Sequence, residues 1–270
     1  MKKYKVIVNL LILLILIPLS TLQYGCKGDT GDNGITGPGG PKLIGKISGN
    51  VILIDTNGVQ PSMKNGVNVS IDGLGRSAIT DSTGKWSIDS VYTGVYTITI
   101  SKNNYGSTKH VNYQFIGGGT TFLANDYLSA VPNYSVSNLT YTSGISGGNT
   151  YVDIKGNISF TSNQMFGRNI LLFIGNSSMV SNDPANYLDV VNAFVIDTAT
   201  TFTQRITTTE FSHIGIPTGS PAYIVAYASS AAFANSSRYI DVNTGRYYYT
   251  SLNSANSGVL TINTPMDNRK

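Results

Sequence analysis

Short runs in which apolar and polar residues alternate recur along most of the chain. Between Thr80 and Ile100 (TDSTGKWSIDSVYTGVYTITI), Trp86 and Ile88 alternate with polar neighbours, and Val95, Ile98 and Ile100 follow less strictly. This is the period-two pattern of half-buried strands. Asp81-Ser82-Thr83-Gly84, between Ile79 and Trp86, reads as a hairpin turn: Asp and Ser bond their own backbone, and Gly supplies a positive φ. Thr93-Gly94 marks a second turn or bulge. The same reading predicts strands at 46–55, 67–72, 77–80, 85–89, 95–101, 109–115 and 121–128. After Val131-Pro132-Asn133 it predicts strands at 134–142, 150–161, 169–174, 187–196, 202–208, 222–229, 247–252 and 259–262. Many short strands separated by regular turn signals predict an all-β chain of two tandem antiparallel β-sandwiches, 43–131 and 132–264, with a polar tail at 265–270. Core candidates in the second sandwich are Tyr151, Ile154, Ile158, Phe160, Leu171, Phe173, Ile224 and Ala226.

Composition supports this reading. Tyr (17) and Gly (29) are abundant, charged residues make up 12%, and Glu210 is the single glutamate, which disfavours long helices and suits an extracytoplasmic β protein. The formal charge of +4 overstates the basic character. Lys2, Lys3 and Lys5 lie in a candidate leader, and without them 15 basic residues face 14 acidic ones, so charge gives no ground for a nucleic-acid partner.

The leader has a positive start (MKKYK), an apolar stretch from Val6 to Leu19 and a short small or polar stretch ending at Gly25. It reads as an export signal, 1–25, too short and wrongly flanked for a transmembrane helix. Cys26 is the one cysteine, so the chain has no disulfide framework. With Gly25 before it and Leu22 upstream, its position resembles a bacterial lipobox, which implies acylation of Cys26 and a stable lipid anchor. An ordinary cleaved signal followed by a free thiol is the alternative. Gly28, Gly31, Gly34, Gly37 and Gly40 keep a Gly-X-Y register that resembles the collagen-like spacers of Bacteroidetes lipoproteins. Five triplets with only Pro38 and Pro41 are too few for a triple helix, so 26–42 reads as a flexible, hydrated tether. The acidic Asp29 and Asp32 resemble surface-export signals of such lipoproteins. The expected address is the outer membrane, lipid-anchored, periplasmic or surface-exposed.

From Gly45 the chain reads GKISGNVILID, GVNVSIDG, SAITDSTGKWSI and VYTGVYTITISKNNYG. Gly49 and Val51, then Gly66, Val67 and Val69, then Thr80, Asp81, Gly84 and Trp86, then Gly94, Tyr96, Ile98, Tyr105 and Gly106 follow the order of the carboxypeptidase regulatory-like domain, which the segment resembles. The resemblance implies a transthyretin-like sandwich, a fold often described as carbohydrate-binding-like, with Trp86 as its core aromatic. A sugar-stacking Trp86 is the alternative. The second half resembles, more faintly, a fibronectin type III or Ig-like sandwich, which implies that Tyr223 or Tyr227 is its hydrogen-bonded tyrosine.

Candidate chemistry is sparse. Glu210-Phe211-Ser212-His213 would share one face only as a helix, and the Thr-rich run reads as strand then loop without a further zinc ligand. Asp55-Thr56-Asn57-Gly58 has calcium-ligand residue types but reads as a turn. No hydrolase elbow, P-loop or dinucleotide fingerprint is present. No catalytic residue, metal or cofactor is expected. Arg246, Tyr247 and Tyr249 form the best binding-surface candidate, with a β-rich edge strand as the plain alternative. Asn182, Asp183, Asn186 and Tyr187 are loop candidates. The expected role is non-catalytic binding at the cell envelope, to carbohydrate or to an outer-membrane partner. A structural spacer, or an accessory module of a secreted hydrolase, are the alternatives.

Overall fold

A computed structural model describes residues 42–160, 167–196, 198–230 and 237–266. The leader, Cys26 and the Gly-X-Y tether lie outside the described residues. The first strands are β1 (Ile44–Ile54), β2 (Asn68–Ile71), β3 (Arg76–Ile79), β4 (Lys85–Tyr92), β5 (Gly94–Ser101), β6 (Thr108–Phe115), β7 (Thr120–Phe122) and β8 (Asp126–Ser129). They form a sheet β4-β1-β7, with β8 also on β1, and a facing sheet β3-β2-β5-β6. Along β1 the buried residues Ile47, Gly49, Val51 and Leu53 alternate with half-buried ones, as a strand with one core face requires. They meet Val69, Ile71, Ile98 and Ile100 of the other sheet in one apolar core.

Trp86 belongs to that core at 4% exposure, and the G-x-V strand explains how. Gly49 pairs directly with Trp86 across β1 and β4, and a Cβ at Gly49 would lie 2.8 Å from the indole ring. The bare glycine is the floor on which the ring lies.

The pairings in this half are antiparallel, with an exception at β1, which pairs in parallel with both β7 and β8. The single strand expected at 121–128 is broken after Phe122, and its two pieces take successive stretches of β1. Three strands carry bulges where Ser90, Asn112 and Asn138 adopt positive φ, each beside a register shift.

The second group contains β9 (Tyr134–Ser146), β10 (Asn149–Phe160), β11 (Arg168–Gly175), β12 (Asp189–Val195), β13 (Thr201–Thr207), helix α1 (Thr208–Ile214), β14 (Pro221–Ser229), β15 (Arg238–Ile240), β16 (Tyr247–Tyr249) and β17 (Leu252–Asn263). Sheet β13-β10-β9 packs on sheet β12-β11-β14-β17, and β15-β16 form a separate hairpin. The main core joins Val152, Ile154 and Ile158 to Ile170, Leu172, Ile174, Ile224 and Ala226. The opposite face of β11 and β14 is buried too. Leu171, Phe173, Val225 and Tyr227 form a second cluster with Val180 and Tyr187, against which Tyr249 packs. The continuous apolar runs NILLFIG and AYIVAYA follow from this double burial.

Four expectations are corrected here. Phe160 is half-buried and packs against the edge of the core, whereas Tyr151 lies outside it and turns outward, where the Arg205 guanidinium lies 3.5 Å from its ring centroid. The strand expected at 247–252 ends at Tyr249, and β17 starts at Leu252 and absorbs the separate strand expected at 259–262. The Thr-rich run at 208–213 is helical. Thr207 and Glu210 form a reciprocal capping box, and Gly215 closes the helix in the left-handed conformation. Tyr227 receives one long hydrogen bond, from the Asn256 side-chain amide at 3.4 Å, whereas the tyrosine hydroxyl that ties strands of the second sandwich through their backbone is that of Tyr134. Its hydroxyl lies 2.8 Å from the Asn169 carbonyl and 2.5 Å from the Ser229 carbonyl, and it accepts from the Asn169 N–H at 2.9 Å. Among the described residues no helix is long and apolar enough to cross a membrane.

Candidate functional site

The capping box decides the role of Glu210. Its carboxylate accepts from the Thr207 N–H at 2.6 Å and from the Thr207 hydroxyl at 2.7 Å, so it is engaged in ending β13 and starting α1. No group of three or more His, Cys, Asp or Glu side chains comes together among the described residues. Asp55 is likewise engaged in its own turn, accepting from the Asn57 and Val59 N–H groups at 2.9 Å. Asp81 does the same with Thr83 and Lys85, and the Thr83 hydroxyl holds its carboxyl below the usual carboxylate range.

The aromatic cluster is built on Phe173. This fully buried ring meets Tyr187, Tyr227 and Tyr249 edge-on, at centroid distances of 5.1, 5.5 and 5.7 Å. Edge-to-face contact places the positive ring edge on the negative ring face. Tyr187 then clamps the hairpin: its hydroxyl donates to the Tyr247 carbonyl at 2.8 Å and accepts from the Tyr247 N–H at 3.0 Å. Burial pushes the Tyr187 phenol up to about 12, with the backbone bond from Tyr247 opposing.

The hairpin therefore rests on the outer face of the β11–β14 sheet, and a cleft of about 520 Å³ opens beside it. The cleft is lined by Asn182, Tyr227, Tyr248, Tyr249, Thr250, Leu252, Asn253 and Ser254. Three tyrosines supply ring surface, and amides and hydroxyls supply hydrogen-bonding groups. Among the described residues that line it there is no carboxylate, imidazole, ammonium or guanidinium.

The structure divides the sequence candidates. Tyr249 lines the cleft and Tyr247 does not; Tyr247 is 38% exposed, with the Arg238 guanidinium 4.1 Å from its ring. Arg246 is also outside the cleft, donating to the Pro184 carbonyl at 3.0 Å. Of the loop candidates, Asn182 reaches the cleft, whereas Tyr187 is buried beneath the hairpin. Tyr227 and Asn253 are cleft residues that the sequence reading did not select, and Tyr248 stood within the selected run but was expected on the face opposite to Tyr247 and Tyr249. Tyr248 stacks on Tyr239 at 5.0 Å, and Asn253 donates to the Pro132 and Tyr134 carbonyls at 3.2 and 2.9 Å. A Tyr-Tyr-Tyr run was the available signal for Tyr248; the positions of Tyr227 and Asn253 depend on strands that meet only in the folded chain.

No protein-family model matches this chain, and no curated protein does. Among solved structures, it is similar to a mutant type II cohesin–X-dockerin complex from Acetivibrio cellulolyticus, with 32% identity over 30% of this chain and a TM-score of 0.26. The match spans about half, 51%, of that chain's length. It is also similar to DUF3823 family proteins. The one from Parabacteroides merdae is 14% identical over 82% of this chain and all of that one, with a TM-score of 0.26. The one from Bacteroides uniformis is 13% identical over 83% of this chain and all of that one, with a TM-score of 0.29. At such TM-scores these likenesses establish no shared ligand.

Proposed function

We propose that this protein is a lipid-anchored, non-catalytic binding protein of the cell envelope that recognises a neutral glycan in the cleft beside β15–β16. The observation that carries this is the cleft lining: Tyr227, Tyr248 and Tyr249 beside Asn182, Thr250, Asn253 and Ser254. Sugar rings present C–H faces that pack on aromatic rings, and hydroxyls that pair with amides and alcohols. A lining without charged side chains favours a neutral saccharide over an acidic one, because a buried charge needs a partner. Of the residues selected from the sequence, Tyr249 belongs to this site, and Arg246 and Tyr247 lie outside its lining.

The test is a binding screen of the protein against neutral and acidic polysaccharides, with Tyr248→Ala and Tyr249→Ala alongside. Saturable binding to a neutral polysaccharide that either change weakens about tenfold supports the reading, since stacked aromatics contribute on the order of 1 kcal/mol or more each. Absence of binding to every neutral polysaccharide overturns it. Anchoring is supported by the leader and by Cys26, and it predicts incorporation of labelled fatty acid that Cys26→Ala abolishes.

A further inference from the structure

We infer that the first sandwich is the positioning scaffold of the cleft, and that Gly106 and the Thr250 hydroxyl are the joint through which it acts. The consequence for ligand affinity rests on the glycan reading above; the joint itself does not.

Two of the cleft residues connect to the first sandwich, one directly and one through Tyr239. Thr250 is the first. Its hydroxyl accepts from the Ser107 N–H at 2.9 Å and faces the Ser107 and Ser237 carbonyls at 2.6 and 2.8 Å. Its own N–H donates to the Ser237 carbonyl at 3.0 Å. Ser237 in turn accepts from the Ser129 N–H through its hydroxyl at 2.7 Å, and the Thr108 hydroxyl donates to the Arg238 carbonyl at 3.1 Å. One threonine hydroxyl, just after β16, thus bonds Ser107, just before β6, and Ser237, just before β15. Tyr248 is the second. It stacks on Tyr239, and the Lys109 ammonium lies 5.3 Å from the Tyr239 ring centroid.

Gly106 makes this approach possible. A Cβ there would lie 2.5 Å from the Ser237 Cβ, and 2.8 Å from both the Ser251 nitrogen and the Thr250 hydroxyl. Two of these neighbours are fixed by backbone, so a side chain at 106 would force the two surfaces apart. Gly106 itself donates to the Ser129 carbonyl at 2.9 Å, which holds it against β8. The hairpin is a poor structure alone, because two strands of three residues have too few bonds to persist in water. It is ordered from two sides: Tyr187 clamps it to the second sandwich, and Thr250 ties it to the first.

Hydrogen exchange on the full chain, without any ligand, tests the joint. Gly106→Ala and Thr250→Val should each speed exchange of the amides at 238–249 about tenfold, with β2, β5 and β10 unchanged. Thr250→Ser keeps the hydroxyl and should stay near the parent. Unchanged hairpin exchange in both disruptive variants overturns the inference. Loss of protection across the whole chain overturns it as well, because the joint would then hold the fold instead of the site. Where a neutral polysaccharide binds the parent, Gly106→Ala, which lies outside the cleft lining, should weaken that binding at least about threefold. Failure of the parent to bind overturns the glycan reading and leaves the exchange result to decide the joint.

Discussion

At the residue scale, Phe173 and Tyr134 do more than their sequence contexts suggest. Phe173 stands in an apolar strand like many others, yet three tyrosines that shape the cleft and clamp the hairpin lean on its ring. Phe173→Ala should cost about 3–5 kcal/mol in a denaturant titration and should loosen Tyr227 and Tyr249 together. Tyr134 is buried at 1% exposure, and burial raises its phenol well above the ordinary value. Tyr134→Phe preserves the ring and removes the three contacts to Asn169 and Ser229. It should cost about 1–3 kcal/mol by the same measurement, because buried backbone groups lose a partner in a place water does not reach. Neither role was legible in the sequence. The Arg246, Tyr247 and Tyr249 set was, in part: an aromatic run next to an arginine marks a strand with a large surface, but which ring faces a cleft depends on the sheet below.

At the element scale, caps and cross-sheet ties decide what the strand pattern leaves open. Thr207 ends a strand and begins α1, and its side chain closes the capping box with Glu210. Thr207→Ala should destabilise the protein by about 1 kcal/mol, seen as earlier exchange of the α1 amides. The glutamate-to-histidine spacing was visible in the sequence, and the capping threonine three residues before Glu210 was the signal that made the segment a helix. The His110–Asp126 pair joins β6 of one sheet to β8 of the other, with Nε2 at 2.9 Å from one carboxylate oxygen. The bond from Asp126 raises the His110 pKa above its ordinary value, and burial opposes this. The folded chain therefore binds the His110 proton more tightly than the unfolded chain does. This contribution to stability is complete below the unfolded pKa of about 6.5 and is lost as pH rises through the higher folded value. Calorimetry of the parent and His110→Gln should show a gap in melting temperature at about pH 5.5 that narrows by about pH 8.

At the scale of the whole molecule, charge has little to do with the proposed recognition. The cleft lining contains no charged side chain among the described residues, so affinity for a neutral polysaccharide should change less than about twofold between roughly 0.05 and 0.5 M salt. A steep loss of affinity with salt would point instead to a charged site elsewhere on the protein. The hairpin also ties the two sandwiches together through contacts more than a hundred residues apart in sequence, such as Thr108 with Arg238 and Ser107 with Thr250.

The all-β class, most strand positions in the first sandwich and the turn residues could be read from the residues alone, and the core place of Trp86 from the family resemblance. The first three are local matters, since alternation selects a face and Asx side chains and glycines select turns; the seat of Trp86 on Gly49 appeared only with the β1–β4 pairing. Tertiary structure alone decided the parallel pairing of β1 with β7 and β8, the double burial of β11 and β14, and the assembly of the cleft. A β-sheet gathers its neighbours from distant parts of the chain, and residues 182, 227 and 248–254 become one surface only after those strands have paired.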